Sequence, residues 1–191
     1  MNSNLLSTLT LGICCLTAGC AGHTPSSVYP LNGQMLGSPA AQVRTDSEIL
    51  GTLVVLNNNE IAAAQLARRH GQNMRVKNYA NFMVKEHGTN LRETKRLSQK
   101  LDLMPDLNGR VAMNLQQKGQ QQLQMLQGLN GKAFDSAYMA TMVNDHTAAL
   151  SLVGQLYNQT SNPMLQNQLK MTRAHIAEHL QRASVIQRES L

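Results

Sequence analysis

Hydrophobic and polar residues follow one another along most of the chain with the three-to-four-residue spacing of amphipathic helices. From residue 45 onward this spacing predicts five helices, which begin near residues 45, 74, 107, 134 and 163. Four of them have an apolar stripe along one face, whereas the third helix is Gln-rich and only weakly periodic. The pattern therefore predicts an all-α, up-and-down bundle over residues 45–189, made of four helices with one additional Gln-rich helix.

Three local signals set the expected helix boundaries. Residues 45–48 read Thr-Asp-Ser-Glu, a capping-box pattern that places the start of the first helix at Thr45. Met104 and Pro105 are expected to end the second helix, since the residue before a proline disfavours helical backbone angles. Asn162 followed by Pro163 supplies a cap and a first-turn proline for the fifth helix.

One nine-residue segment occurs twice, at residues 79–87 and again at residues 138–146. Tyr, Met-Val, an acidic residue and His recur at the same offsets in both copies. In each copy the Tyr, the Met and the His lie on one helical face, with the His at an otherwise apolar position. We interpret the repetition as a tandem duplication of one helical hairpin.

Polar residues interrupt four of the apolar stripes, one in each helix and each near its middle: Glu60, His87, His146 and His179. In an antiparallel bundle these four side chains would meet at similar heights, which is how bundle cores build metal sites. Imidazole and carboxylate ligands together suit iron, zinc, manganese or copper. The first hypothesis is therefore a metal site in the bundle core.

The alternative for the same four residues is a purely structural polar layer. Buried His and Glu side chains can hydrogen-bond each other and the hydroxyl groups of Tyr79 or Tyr138. An acidic residue also precedes each histidine, and the three acids are Glu86, Asp145 and Glu178. Because neighbours on a helix diverge by about 100°, we expect these acids and the two tyrosines to surround the ligands or to pair with basic residues at helix interfaces.

Methionines also stand four residues before three histidines: Met83 before His87, Met142 before His146 and Met171 before His175. Thioether and imidazole together are compatible with copper, although Met as core filler explains the same pattern.

No cysteine follows Cys20, and no serine has an ordered His and acid context, so nucleophilic catalysis has no support. The sequence therefore favours a non-enzymatic protein, and a metal-dependent oxidase would need an open coordination position.

The N-terminal residues predict export and anchoring. Residues 1–19 contain an apolar run that is too short to span a bilayer, as in a signal peptide. The run ends in Leu-Thr-Ala-Gly-Cys, which resembles a bacterial lipobox with Cys20 as the lipidated residue. Residues 20–44 are predicted to form a flexible tether, and Ala21 after the cysteine favours an outer-membrane lipoprotein that faces the periplasm. The alternative is ordinary secretion into the periplasm without an anchor.

Composition and charge restrict the partners. Hydrophobic residues make up 42% of the chain but aromatic residues only 3%, with no Trp, which suits helices with an aliphatic, Met-rich core. The net charge is +6, and residues 68–100 hold nine basic residues against two acidic ones. This basic second helix is either a solvated face or a docking surface for an anionic envelope polymer or protein. Nucleic acid is not expected, because neither a binding motif nor stacking aromatic residues accompany the charge.

Several motifs together suggest a known family: Asp46-x-Glu48 with Glu60, residues 82–87, Phe134-Asp135-x-x-Tyr138, residues 142–146 and His179-Leu180-x-x-Ala183. Over about residues 45–186 they resemble a bacterial family of outer-membrane or secreted proteins (domain of unknown function 4142). The resemblance implies an envelope location and a ferritin-like helical bundle, and no established reaction. Ferritin-type di-iron sites use Glu on two helices and Glu-x-x-His on the other two, a spacing that is missing here. A His-rich mononuclear site therefore remains the expectation.

Overall fold

The computed structural model describes residues 38–190, which form five α-helices. Their bounds are Pro39–His70 (α1), Met74–Leu101 (α2), Arg110–Gln127 (α3), Gly131–Gln159 (α4) and Pro163–Ser190 (α5). No strand occurs in this part of the chain, so the all-α prediction and the number of helices are confirmed. None of these five helices is both long and apolar enough to cross a membrane. The predicted signal peptide, Cys20 and residues 20–37 of the predicted tether lie outside the described residues.

Two pairs of long helices make up the core of the fold. Short loops join α1 to α2 and α4 to α5, and each of these pairs packs along its length. The pairs meet where α2 packs against α5 and α1 against α4, while α3 packs mainly on α1. The repeated segments lie on α2 and α4, which are the second helix of one pair and the first helix of the other. The packing therefore does not reproduce a tandem repeat of one hairpin.

Helix α1 begins at Pro39, so the predicted start at Thr45 is wrong. Ser38 is the N-cap, and its hydroxyl oxygen accepts a hydrogen bond from the backbone N–H of Ala41 at 3.3 Å. Thr45 lies within the helix and donates its hydroxyl to the carbonyl of Ala41. Because a proline at the first helical position loses no hydrogen bond, Ser38-Pro39 is the stronger start signal. Residues 39–44, assigned to the tether from sequence, are therefore helical. The predicted cap at Asn162 is confirmed.

The core consists of two apolar clusters with a polar layer between them. One cluster includes Met83 of α2 and Phe134 of α4, and the other includes Leu53 of α1 and Leu169 of α5. The layer between them contains five buried residues beside the histidines: Asn57, Glu60, Asn90, Thr94 and Thr172. The interruptions of the apolar stripes thus fall at one level of the fold, as the sequence predicts for residues 60, 87, 146 and 179.

The hydrophobic period of the second helix predicts that Leu91, Leu97 and Leu101 face the core, and the structure differs. These three leucines are only partly buried, whereas polar residues on a neighbouring face of the helix are buried. Asn90, Thr94 and Ser98 are the buried residues of this half. Asn90 and Thr94 are held by hydrogen bonds within the polar layer and along the helix. Hydrophobicity alone mispredicts this face because buried polar groups are tolerated once they are paired.

The Gln-rich helix α3 lies close to α1 because it has a glycine at the contact. A Cβ atom added at Gly119 would lie 2.5 Å from the amide group of Asn59. The same Asn59 donates its side-chain N–H to the carbonyl of Leu115 at 2.7 Å. Gly119 therefore serves helix packing here, and its low helix propensity is outweighed by this close approach.

Asp135, near the start of α4, joins this helix to the loop between α1 and α2. Its buried carboxylate accepts hydrogen bonds from the backbone N–H of Gln72, at 3.1 and 3.2 Å, and of Asn73, at 2.7 Å. Hydrogen bonds to a charged group are the stronger kind in proteins. This contact accounts for the aspartate of the Phe-Asp-x-x-Tyr motif.

Replacing Asp135 should therefore destabilise the fold. We expect Asp135→Ala to lower the free energy of unfolding by about 2 kcal/mol, because two backbone N–H groups lose a charged acceptor. Asp135→Asn, which keeps one acceptor oxygen, should lose less. Urea unfolding followed by circular dichroism measures both. The exposed neighbour Lys132→Ala is the control, expected within about 0.5 kcal/mol of the wild type, and an equal loss there would contradict the assignment.

Candidate metal centre

Three histidines from three helices meet in the polar layer. His87 of α2, His146 of α4 and His179 of α5 are all buried, and their ring centres are 5.8 Å (87 to 146), 5.0 Å (87 to 179) and 5.5 Å (146 to 179) apart. One ring nitrogen of each can be chosen so that all three lie within 4.8 Å of one another. The three rings therefore form a nearly equilateral triangle around one point in the core.

Hydrogen bonds fix the orientation and tautomer of two of these rings. Nδ1 of His146 lies 2.8 Å from the carbonyl oxygen of Met142, which can only accept, so Nδ1 carries the proton. Nδ1 of His87 lies 2.9 Å from Oδ1 of Asn57. The amide nitrogen of Asn57 donates to a backbone carbonyl, so its Oδ1 is the acceptor and His87 Nδ1 is the donor. Both Nε2 atoms therefore keep their lone pair for another partner.

The partner of His87 belongs to a hydrogen-bonded chain that crosses three helices. The Asn57 amide donates to Oδ1 of Asn90 at 3.0 Å, and the Asn90 amide donates to the Thr172 hydroxyl at 2.9 Å. A ligand histidine whose second nitrogen is held by an oxygen acceptor is the usual arrangement around protein metals. Asn57 and Asn90 are not among the site residues predicted from sequence, although the run of three asparagines at residues 57–59 inside an apolar helix is a signal.

Polar atoms without a partner concentrate at this level. In the described part of the chain, six buried side-chain atoms have no hydrogen bond, and five of them belong to the polar layer and its tyrosine. These five are His87 Nε2, His146 Nε2, His179 Nδ1, Glu60 Oε2 and Tyr138 Oη. Each such atom costs about 1–3 kcal/mol of desolvation if nothing binds it. The protein atoms therefore leave this polar layer with unsatisfied hydrogen-bonding groups.

The spacing of the rings matches that of metal ligands. Imidazole nitrogens bind zinc at about 2.0–2.1 Å, and three of them on one tetrahedral ion hold their ring centres about 5 Å apart. The observed separations of 5.0 to 5.8 Å are close to this value. The cluster can hold a metal ion with three protein ligands and one further coordination position.

Burial keeps the three imidazoles in the form that binds metal. Desolvation, with the neighbouring His146, His175 and Arg182 adding to its effect, lowers the pKa of His179 to about 3. Desolvation, followed by the nearby histidines, lowers the pKa of His87 well below its usual value. For His146 desolvation also lowers the pKa, partly offset by its hydrogen bond to Met142. All three rings are neutral at pH 7, as metal coordination requires.

Glu60, the fourth predicted ligand, lies outside the triangle of mutually close ligand atoms. Its carboxyl group is buried and lines a small cavity between α1, α3 and α4. Burial raises the pKa of this carboxyl to about 8, with repulsion from Asp145 adding to the effect and Lys118 opposing it. Glu60 is therefore protonated at neutral pH, and three of the four predicted residues come together.

The acids that precede the histidines make contacts away from the rings. Oε1 of Glu86 lies 3.8 Å from Nζ of Lys85, and Oε1 of Glu178 lies 2.6 Å from Nη2 of Arg182. The carboxylate of Asp145 pairs at 2.6 Å with Lys118 of α3. In the structure the acids are thus paired with basic side chains, which is one of the two arrangements expected from sequence.

The two predicted tyrosines lie beside the cluster. Tyr79 donates its hydroxyl to the backbone carbonyl of His179 at 3.3 Å. Tyr138 is fully buried and packs edge-on against Tyr79, with ring centres 6.4 Å apart. Burial raises the pKa of both phenols, and the nearby Glu60 adds to the shift.

The methionines of the three Met-His pairs differ in their burial. Met83 and Met142 are core residues, whereas Met171 is exposed.

The fold and the site together define a small all-α protein with a buried three-histidine cluster. The chain belongs to the DUF4142 family, a domain of unknown function, whose model matches residues 33–186. The match covers the five helices almost completely and confirms the resemblance found in the sequence. No curated protein and no solved structure matches the chain significantly.

Proposed function

We propose that this protein is an envelope lipoprotein that binds one transition metal ion through His87, His146 and His179. Two observations on the same three rings carry the proposal. Each ring has a buried nitrogen without a protein partner, and one ring nitrogen of each can be chosen so that the three lie within 4.8 Å of one another. Two of the rings are also held in the ligand tautomer by Asn57 and by the Met142 carbonyl. A structural polar layer would have paired these nitrogens with protein groups instead.

Three neutral imidazoles without a carboxylate narrow the choice of metal. Imidazole suits zinc, copper and iron, whereas manganese prefers oxygen ligands. We therefore rank zinc and copper ahead of iron, and manganese last. The fourth coordination position is left to water or to an external ligand, and the proposed role is binding of the ion.

The finer description of the fold is part of this proposal. The pairs α1–α2 and α4–α5 are compatible with a ferritin-like four-helix bundle to which α3 is added. The three-histidine set differs from the Glu-x-x-His ligands of ferritin-type di-iron sites, which argues against ferroxidase chemistry. Lipidation at Cys20 would tether the bundle to the outer membrane, facing the periplasm, where exchangeable metal ions can reach it.

Metal content tests the proposed function directly. After exposure to zinc, copper, iron and manganese followed by desalting, the full chain should retain about one ion per molecule, as a three-ligand site does. His87→Ala/His146→Ala should retain less than about one tenth of that amount, because one imidazole alone binds weakly. His70→Ala removes a histidine outside the cluster and should bind like the wild type. A wild type that retains none of the four metals would refute the function.

A second candidate function rests on the charge of α2. Its basic residues Lys85, Arg92, Lys95, Arg96 and Lys100 are all exposed. Such a surface fits an anionic envelope polymer or protein, as the sequence analysis suggested. A Cys20→Ala chain should then bind anionic partners in a manner that weakens strongly with salt. Indifference to salt would count against this docking role.

A further inference from the structure

The three histidines are closed off from solvent, so an ion needs a path to reach them. His87, His146 and His179 are between 1% and 3% exposed. Two openings in the surface lie next to the cluster. One is a cavity of about 140 Å³ between α1, α3 and α4, and the other is a groove of about 580 Å³ between α2 and α5.

The cavity carries two carboxyl groups that lead toward the cluster. Asp145 lines it and directly precedes His146 in α4. Glu60 lines it from α1, one helical turn beyond Asn57, which holds the ring of His87. Oε2 of Glu60 is buried without a hydrogen-bond partner. The two carboxyl groups thus lie along one cavity, Asp145 next in sequence to a ligand histidine and Glu60 one turn from the residue that holds another.

Helix α3 provides a movable counter-charge over this cavity. Lys118 binds Asp145 at 2.6 Å, and Gln122 donates to both oxygens of Asp145, at 3.0 and 2.8 Å. The Lys118 side chain is 49% exposed, whereas that of Asp145 is 14% exposed. An ammonium group on a half-exposed, flexible side chain can leave at little cost. An arriving divalent cation can therefore take its place on the carboxylate.

An aromatic ring closes the groove between α2 and α5 toward the cluster. Phe82 lies between the groove and the cluster, with its ring edge-on to His179 at 5.2 Å between centres. Arg182 covers the outer face of Phe82 at 4.3 Å from the ring centre and is paired with Glu178, which lines the same groove. The groove therefore offers a cation no unpaired carboxylate among these residues, and the apolar Phe82 ring opposes its passage to the histidines.

We propose that the cavity between α1, α3 and α4 is the path by which a divalent cation reaches the three histidines, with Asp145 and then Glu60 as transient ligands. This inference rests on the proposed function. The molecule as a whole carries a charge of +6 and repels cations, so the local carboxylate of Asp145 decides where they approach. Glu60 gives up its proton as it binds the ion, and the cation then passes to the imidazole nitrogens. The role of Glu60 is delivery of the ion, and the resident ligands are the histidines.

The rate of Co²⁺ uptake by the full chain tests this path. Co²⁺ bound by imidazoles absorbs visible light, so loading can be followed by stopped-flow absorbance. We expect Asp145→Asn and Glu60→Gln to slow loading at least about tenfold. The first removes the negative charge that attracts the cation, and the second replaces a carboxyl group that can release its proton and bind the ion by an amide that cannot. The final absorbance and the bound amount should stay at the wild-type level. Lys118→Gln, which frees the Asp145 carboxylate, should load faster.

Matched variants separate this path from the alternatives. Glu189→Gln removes a surface carboxylate far from the cavity and should load within about twofold of the wild type, because exposed charges interact weakly. Wild-type rates in both Asp145→Asn and Glu60→Gln, or faster loading in Phe82→Leu, would overturn the cavity path. A changed Co²⁺ spectrum in Glu60→Gln would make Glu60 a resident ligand and overturn its delivery role. Failure of the proposed function is distinct, since the wild type itself would then show no Co²⁺ spectrum.

Discussion

Adding Zn²⁺ to the metal-free full chain should raise its midpoint of thermal unfolding by about 10 °C. An ion that binds only the folded state stabilises it by about 4 kcal/mol at a free concentration of one thousand times the dissociation constant. For a chain of this size that free energy corresponds to a shift of about 8–16 °C. Differential scanning calorimetry with and without a chelator measures the shift.

The dependence of the thermal unfolding midpoint on Zn²⁺ should disappear when the ligand histidines are replaced. His87→Ala/His146→Ala loses two of the three imidazoles, so its midpoint should be the same with and without Zn²⁺. His70→Ala is the matched control, because His70 contacts the Leu129 carbonyl at the far end of α1 and lies outside the cluster. Comparing each variant with itself removes the effect of the cavities that truncation creates. A wild type whose midpoint ignores Zn²⁺ would reduce the three histidines to a structural role.

The metal-free protein should lose stability steeply as the pH falls below about 6.5. In the folded state burial holds the pKa of His87, His146 and His179 below the ordinary value of 6.5, and that of His179 at about 3. Below pH 6.5 the unfolded chain therefore binds more protons at these rings than the folded chain, and unfolding becomes easier as pH falls. Each group contributes up to about 1.4 kcal/mol per pH unit while its folded form stays neutral, so about 4 kcal/mol per unit is the upper limit from these residues.

Glu60 acts in the opposite direction. Its folded pKa of about 8 lies above the ordinary 4.5, so its contribution is full below pH 4.5 and is lost as the pH rises toward 8. The two effects balance at a stability maximum near about pH 7. Urea unfolding at a series of pH values, in the presence of a chelator, measures this profile.

Two variants separate the contributions of the histidines and of Glu60 to this pH dependence of stability. His87→Leu/His146→Leu should keep about one third of the histidine slope between pH 6.5 and 5, because one of the three rings remains. Glu60→Gln should abolish the decline toward pH 8 and make the loss of stability between pH 6.5 and 5 steeper, because Glu60 opposes the histidines over that range as well. If the wild-type profile is flat between pH 6.5 and 5, the three rings are not buried in neutral form, and the structure of the cluster is wrong. This wild-type measurement decides the point even where a variant fails to fold.

Some features of the site could be read from the sequence and others could not. The interruption of apolar stripes by His87, His146 and His179 was visible because a buried imidazole breaks a simple hydrophobic period. The exclusion of Glu60 from the group of ligand atoms was not visible. The hydrophobic period shows on which face of α1 the Glu60 side chain lies. Its distance from the histidine rings depends on how α1 and α3 pack around it.

The partners of the histidines illustrate the same limit. The acids next to them in sequence were the obvious candidates, but Asn57 and the Met142 carbonyl hold the rings. A backbone carbonyl carries no sequence signal, and an asparagine from another helix becomes a partner only when the helices are in register. The same reason accounts for the polar face of α2 at Asn90, Thr94 and Ser98.

By itself, the sequence determined the helical class, four of the five helix starts to within a few residues, and the level at which polar side chains enter the core. These follow from periodicity and capping, which act between residues close in the chain. Tertiary structure decided which helices pair, which of the four polar residues form the cluster, and which ring nitrogens remain without a protein partner. These depend on distances between residues 30 to 100 positions apart, such as His87 to Asn57 or Tyr79 to His179, and only the packed fold sets them.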